Sequence, residues 1–264
     1  MHWEDLTGDE FPKAVEQAGG VCLLPLACLE RHGHHLPIGT DMFIGRELCE
    51  RAAKIEPVVV FPDLFFTQIL EARHVPGTIG LQPELIMQLL EGVCAEIARN
   101  GLKKIVIVNT HGGNNHLIHY FAQIQLARRR DYVVYVAQPP YQAEEPATAA
   151  QWETVIDDHA GERETSMILA IHPELVRPET LPSDGEGMPL GRLKALADQG
   201  IYTGIWWYAD NPTHYNGDGH PGTAEKGEVW FADRARALAQ ALRTIKADTE
   251  ARQLQDEFFD RTER

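Results

Sequence analysis

The sequence predicts an α/β protein, a three-layer α/β/α sandwich around a mostly parallel central sheet. Two observations carry that expectation. Short, continuous apolar runs alternate with segments of helical period, and the apolar runs end in polar residues. Continuous rather than alternating hydrophobicity means that both faces of a strand are covered, as in a parallel sheet held between helix layers. Alternation of strand with helix then gives βαβ units.

The first strand is expected in GVCLLPLACL (20–29) and the second in EPVVVFPDL (56–64). The third, KKIVIVNT (103–110), is a β-branched run ending in polar residues, and DYVVYVAQP (131–139) supplies the fourth. Between them, TDMFIGRELCERAAKI (40–55) opens on a Thr-Asp cap signal. QPELIMQLLEGVCAEIARNG (82–101) has Pro in its first turn and Gly just past its end, the usual asymmetry of a helix. NNHLIHYFAQIQLARRR (114–130) follows the third strand, and TAEKGEVWFADRARALAQALRTIKADT (223–249) is the long last helix. The segment from about 140 to 226, rich in Pro, Gly and acid, reads as long loops over one rim, and loops of that length are usually functional. At 264 residues the chain is near the upper end of what one core supports. A single domain over 1–264 with a C-terminal helical extension is therefore expected.

A net charge of −15 argues against a nucleic-acid partner, which would require clustered Lys and Arg. No stretch approaches the ~18 apolar residues of a membrane span, and the N-terminus lacks the basic-then-apolar pattern of a signal peptide. Cys22, Cys28, Cys49 and Cys94 are scattered without CxxC spacing, so reduced thiols in a cytoplasmic protein are the expectation. Cys28, two residues before Glu30, reads first as a small buried residue.

Chemistry concentrates in LERHGHHLPIGTD (29–41), three histidines between two carboxylates. In an open parallel sheet ligands bind beyond the carboxyl ends of the strands. Glu30 and His32 follow the first strand and His111 follows the third, so two strand ends bring metal-type residues to one rim. Asp41 opens the next helix, where its dipole favours a carboxylate. DDHAGERETSMIL (157–169) adds His159 and Glu162, three apart and so on one face of a helical turn. Gly112 and Gly113 allow backbone close to a crowded site. His2, His116, His119, His172 and His214 read as surface or hydrogen-bonded residues, and His34 and His35 as supporting or substrate-side groups.

LERHGHHLPIGTD, VNTHGGNN (108–115), HAGERETS (159–166) and GHPGTAEKG (219–227) resemble, in order, the signature blocks of the creatininase (creatinine amidohydrolase) family, and HVPGTIGL (74–81) resembles a further block. The resemblance implies a binuclear metal hydrolase on an α/β/α fold, a homo-oligomer and often a hexamer. It implies that Glu30 and His111 serve one metal and His32 the other, with Asp41 bridging. Creatininase has a Tyr-Glu pair, whose Glu is a ligand, where this chain has Gly112-Gly113. Relatives with the Gly-Gly form carry the HAGE block, which points to Glu162 as the replacement and leaves Glu164 as the alternative. Creatinine itself is then a poor substrate. Further departures are Arg31 and His34, where relatives commonly have Gln and Pro, and Ala27-Cys28, where Gly-Ser is usual.

Three carboxylates against two divalent ions leave one positive charge, which favours a bridging hydroxide as nucleophile. His159 is the expected proton shuttle, oriented by Asp158. Trp206, Trp207, Tyr208 and Tyr215 stand as either a substrate wall or packing and subunit contacts, and His220 as a local addition to the pocket. Nitrogen and oxygen donors suit zinc, manganese or iron. The expected activity is hydrolysis of a small-molecule amide, a cyclic amide or formamide. The alternatives are a deformylase or small-peptide hydrolase in a cofactor pathway, and a catalytically silent, metal-stabilised assembly protein.

Overall fold

In the computed structural model, residues 1–137, 152–182 and 186–262 are described. Four parallel strands, β1 (Val21–Leu26), β2 (Val59–Val60), β3 (Lys104–Asn109) and β4 (Val133–Val136), form one sheet in the order β2-β1-β3-β4. Strand residues alternate between two buried clusters. Val21, Leu23, Val106 and Val108 face one, while Cys22, Leu24, Leu26, Ile105 and Ile107 face the other. That two-sided burial explains the uninterrupted apolar runs.

The helices divide between these faces. α1 (Phe11–Gln17), α3 (Pro83–Arg99) and α4 (Asn115–Ile124) cover the Leu24–Ile107 side. α2 (Thr40–Ile55), α5 (Glu162–Ile171) and the long α8 (Ala224–Ala247) cover the other. Between α5 and α8 the described residues form two short α-helices, α6 (Lys194–Ala197) and α7 (Trp206–Asp210), and two 3-10 turns, Pro173–Leu175 and Pro178–Thr180, with residues 183–185 outside the described range. The final helix, α9 (Glu250–Thr262), buries Phe259.

The expected second strand shrinks to two paired residues, because Pro57 and Pro62 bracket it and cannot donate to a ladder. α4 stops at Ile124 and passes into a 3-10 turn, Gln125–Ala127. The last two residues expected in the fourth strand, and the rim stretch 138–151, lie outside the described residues.

The register fixes where function can assemble. Leu26, at the end of β1, pairs with Asn109, at the end of β3. The segments carrying Glu30 and His111 therefore leave the sheet side by side. Thr110 accentuates this by donating to the Asp41 carbonyl (2.8 Å), which holds the first turn of α2 against the same rim. Gly45 permits that approach, since a Cβ there would lie 2.9 Å from the Thr110 hydroxyl.

Candidate metal centre

Glu30, His32, Asp41 and His111 converge beyond β1 and β3, each no more than 5% exposed. His111 Nδ1 lies 2.8 Å from Glu30 Oε1 and 3.2 Å from Asp41 Oδ2. His32 Nε2 lies 3.1 Å from the other Asp41 oxygen, Oδ1, and 3.7 Å from Glu164 Oε2. Asp41 thus stands between the two imidazoles with one oxygen toward each.

The outer hydrogen bonds set the tautomers. His111 Nε2 is 2.9 Å from the Gln68 carbonyl, and His32 Nδ1 is 3.2 Å from the Glu30 carbonyl. A carbonyl only accepts, so each ring donates there and, when neutral, turns a lone pair toward the carboxylates. Metal-ligating histidines are commonly oriented in this way. Glu30 Oε1 is buried without a hydrogen bond, although it is close to His111. A buried carboxylate oxygen facing nitrogen lone pairs is unfavourable unless a positive charge lies between them. Burial alone would lower the His32 pKa, but the carboxylates of Asp41, Glu164 and Glu30 outweigh it and push it up to about 10. His111 is likewise raised, by Glu30 and Asp41 against the effect of burial. The donor set therefore fits a divalent cation on each side of Asp41.

Glu162, the expected fifth ligand, does not reach the cluster. Glu162 faces away from the cluster, where its Oε2 accepts from the backbone N–H groups of Glu153 (2.8 Å) and Thr154 (2.9 Å) and from the Thr154 hydroxyl (2.9 Å). Lys226 pairs with its other oxygen, 2.5 Å away. The helical-face argument fails because the chain is not helical between 159 and 162. Ala160 has φ 56°, and α5 begins only at Glu162, with Gly161 as its N-cap. Glu164, two residues into the helix, reaches His32 instead and accepts from the Ala160 N–H. Burial pushes its carboxyl up to about 7, against the pull of His32.

His159 joins the cluster, its ring 4.3 Å from that of His32 and 4.5 Å from that of His214. Its Nε2 donates to the Arg31 carbonyl (2.8 Å), leaving Nδ1 as the acceptor when the ring is neutral. Burial, then the charge of His32, lowers its pKa to about 3. Asp158 accepts from Asn216 Nδ2 (3.1 Å), and it is the Arg31 carbonyl that orients the ring.

The residue that the sequence did not reveal is His214. It is buried, has a left-handed backbone (φ 58°), and its Nε2 donates to Glu30 Oε2. The Trp207 indole N–H donates to Nδ1 of the same ring (2.8 Å), which makes Nε2 the protonated nitrogen of the neutral form. A side chain held in the left-handed region is a strained feature that such sites retain. Its only sequence signal is a lone histidine in a turn-rich loop, 184 positions from its partner.

A cavity of about 470 Å³ opens over the cluster, walled by Tyr202, Trp206, Trp207, Glu71 and His116. Gly113 contributes to its floor: a Cβ there would come within 2.5 Å of Glu71 Oε1 and 2.4 Å of His111 Nε2. Two expected pocket residues lie elsewhere. His34 follows Gly33 (φ 56°) outward and meets Arg31 and, at 2.9 Å, Glu186. His220 bonds Asp218 (2.7 Å) and lines a separate hollow of about 280 Å³. Of the other aromatics, Tyr208 meets His74 edge to face and Tyr215 is buried with its hydroxyl accepting from Gly219 N–H (2.9 Å).

Residues 4–242 match the creatininase family model, described as creatinine amidohydrolase. Over 190 residues the chain is 28% identical to the creatinine amidohydrolase of Pseudomonas putida, covering 65% of this chain and 72% of that one. It is 29% identical over 223 residues to the mycofactocin precursor peptide peptidase of Mycobacterium ulcerans, covering 80% of each. Among solved structures, a manganese form of creatininase aligns with a TM-score of 0.76 at 22% identity, covering 94% of this chain and 99% of that one.

Proposed function

Because the chain belongs to the creatininase family of hydrolases, we propose that it is a binuclear metal-dependent amidohydrolase that cleaves a small, non-peptide C–N bond, such as that of a cyclic amide or formamide. The observation that carries this reading is Asp41, with one carboxylate oxygen turned toward His111 and the other toward His32. Glu30, His111 and Asp41 Oδ2 would hold one divalent ion, and His32, Glu164 and Asp41 Oδ1 the second. Zinc, manganese and iron suit such donors. Ions bound there supply Lewis acidity and lower the pKa of water from 15.7 to roughly 7.

The chain's own residues do the rest. His214 fixes the Glu30 carboxylate through Nε2–H while Trp207 fixes His214. His159, with Nε2–H pinned on Arg31, takes a proton at Nδ1 and passes it to the leaving nitrogen. As a neutral ring it acts first as the base. Tyr202, Trp206 and Trp207 give the unreacting part of the substrate an apolar wall. We read the whole chain as one such unit, with 140–226 as its rim. Four buried, unpaired cysteines support a reducing, cytoplasmic setting, and a homo-oligomer is part of the same proposal.

A peptide bond is the second reading, supported by the similarity to the M. ulcerans peptidase and by a cavity within the ~300–1,000 Å³ range of larger ligands. The test is a turnover screen of metal-reconstituted protein on cyclic amides, formamides and short peptides. Metal-dependent turnover of the first two supports the proposal, and turnover of peptides alone supports the second reading. Stoichiometric metal without turnover of any would contradict both and favour a metal-stabilised assembly role.

A further inference from the structure

Cys28 packs on one side against Ile69 and Ala72, and its thiol is a chemistry-bearing group in the cluster that the proposed reaction does not use. It is fully buried, and its Sγ lies 3.3 Å from Asp41 Oδ2. Ligand atoms of Cys28, Glu30, Asp41 and His111 all lie within 4.8 Å of one another. A second observation points to a ligand in the same place, because Glu30 Oε1, in a side chain only 1–2% exposed, faces this group without a hydrogen bond. Bond lengths to zinc are ~2.3 Å for sulfur and ~2.0–2.2 Å for nitrogen and oxygen. A tetrahedral ion bonded to four such atoms spaces them ~3.3–3.7 Å apart, and the His111–Glu30 (2.8 Å), His111–Asp41 (3.2 Å) and Cys28–Asp41 (3.3 Å) separations lie within about half an ångström of that. The other three cysteines pack into the two cores, away from the rim.

We propose that Cys28 is a thiolate ligand of the ion held by Glu30, Asp41 and His111, and that it biases this position toward a thiophilic metal, zinc over manganese. The inference rests on the metal-centre reading above. On binding, the sulfur–metal bond forms, the S–H bond breaks, and the proton leaves to solvent without any change of oxidation state. The two positions then differ in kind: one offers sulfur with nitrogen and oxygen, the other only nitrogen and oxygen. Soft thiolate selects zinc, whereas carboxylate-rich sets accept manganese.

The test loads the full-length, metal-stripped protein with Co²⁺ and records its absorption. A thiolate-to-cobalt charge-transfer band in the near ultraviolet is expected in the wild type and its loss in Cys28→Ser. Competition between Zn²⁺ and Mn²⁺ should show zinc affinity at one position falling in the variant by at least the ~10–100-fold that loss of even an outer partner of a ligand costs, with manganese affinity little changed. The wild-type spectrum decides even where the variant does not fold. Bound cobalt without a charge-transfer band would overturn the role of Cys28 and leave the metal centre standing. Failure to bind cobalt at all would overturn both.

Discussion

Asp41→Asn is the substitution that separates a bridging carboxylate from a structural one. Asn keeps the shape and one carbonyl oxygen but removes the charge that faces both His32 and His111. Two unit charges ~4 Å apart interact by about 4 kcal/mol at an effective dielectric of ~20, and a divalent ion doubles this to about 8. The retained amide oxygen restores part of it. A net loss of at least ~4 kcal/mol per ion remains, which is about three decades in affinity. Elemental analysis after chelation and graded reloading measures it directly. The variant should fall below one ion per chain at concentrations that fill the wild type with two, and should lose turnover in parallel. Its circular dichroism should be unchanged, because the Asp41 backbone carbonyl still accepts from Thr110. Full metal occupancy in the variant would refute the bridging assignment.

His159→Ala should keep both ions and slow turnover by at least ~100-fold, as single-turnover rates on metal-replete protein would show, and an unchanged rate would make the ring structural. Glu164→Gln should lose an ion with little effect on the melting of the metal-free chain. Glu162→Gln should keep both ions and lower stability by about 1.5–3 kcal/mol, because it weakens charged hydrogen bonds to Lys226 and to the 153–154 backbone; chemical denaturation tests this, and the reverse pattern would restore Glu162 as the ligand. Metal binding should release protons at neutral pH, because His32 (about 10) and His111 are both raised and an ion must displace what they hold. Apparent affinity should then rise as pH increases from 6 to 8, and calorimetry in buffers of different ionisation enthalpy should detect proton release, one from each of these imidazoles and one more from Cys28 if it binds as thiolate. A pH-independent affinity would contradict it.

The layered fold was legible because sheet burial writes itself into local sequence. β1 and β3 are unbroken apolar runs, since alternate residues enter different cores. Proline punctuation also cut the second strand shorter than its hydrophobicity suggested. Glu30, His32, Asp41 and His111 were legible for a related reason: each follows a strand end or opens a helix, so topology alone brings them to one rim. What was not legible depends on local backbone or distant contact. That Glu164 rather than Glu162 reaches His32 follows only once Ala160 is known to be left-handed and α5 to start at 162. His214 and Cys28 gain their meaning only from folding, one meeting Glu30 from 184 residues away and the other meeting Asp41 across a loop. The substrate-side expectations for His34 and His220 fail in the same way, since a turn at Gly33 and an Asp218 partner aim them elsewhere.

The central claim is that Asp41 lies between two cations, and anomalous diffraction from crystals of the metal-loaded protein addresses it most directly. Two peaks are predicted, one among Glu30, His111 and Asp41 and the other among His32, Glu164 and Asp41. A single ion that does not touch Asp41, or no ion at the rim of β1 and β3, would contradict the account.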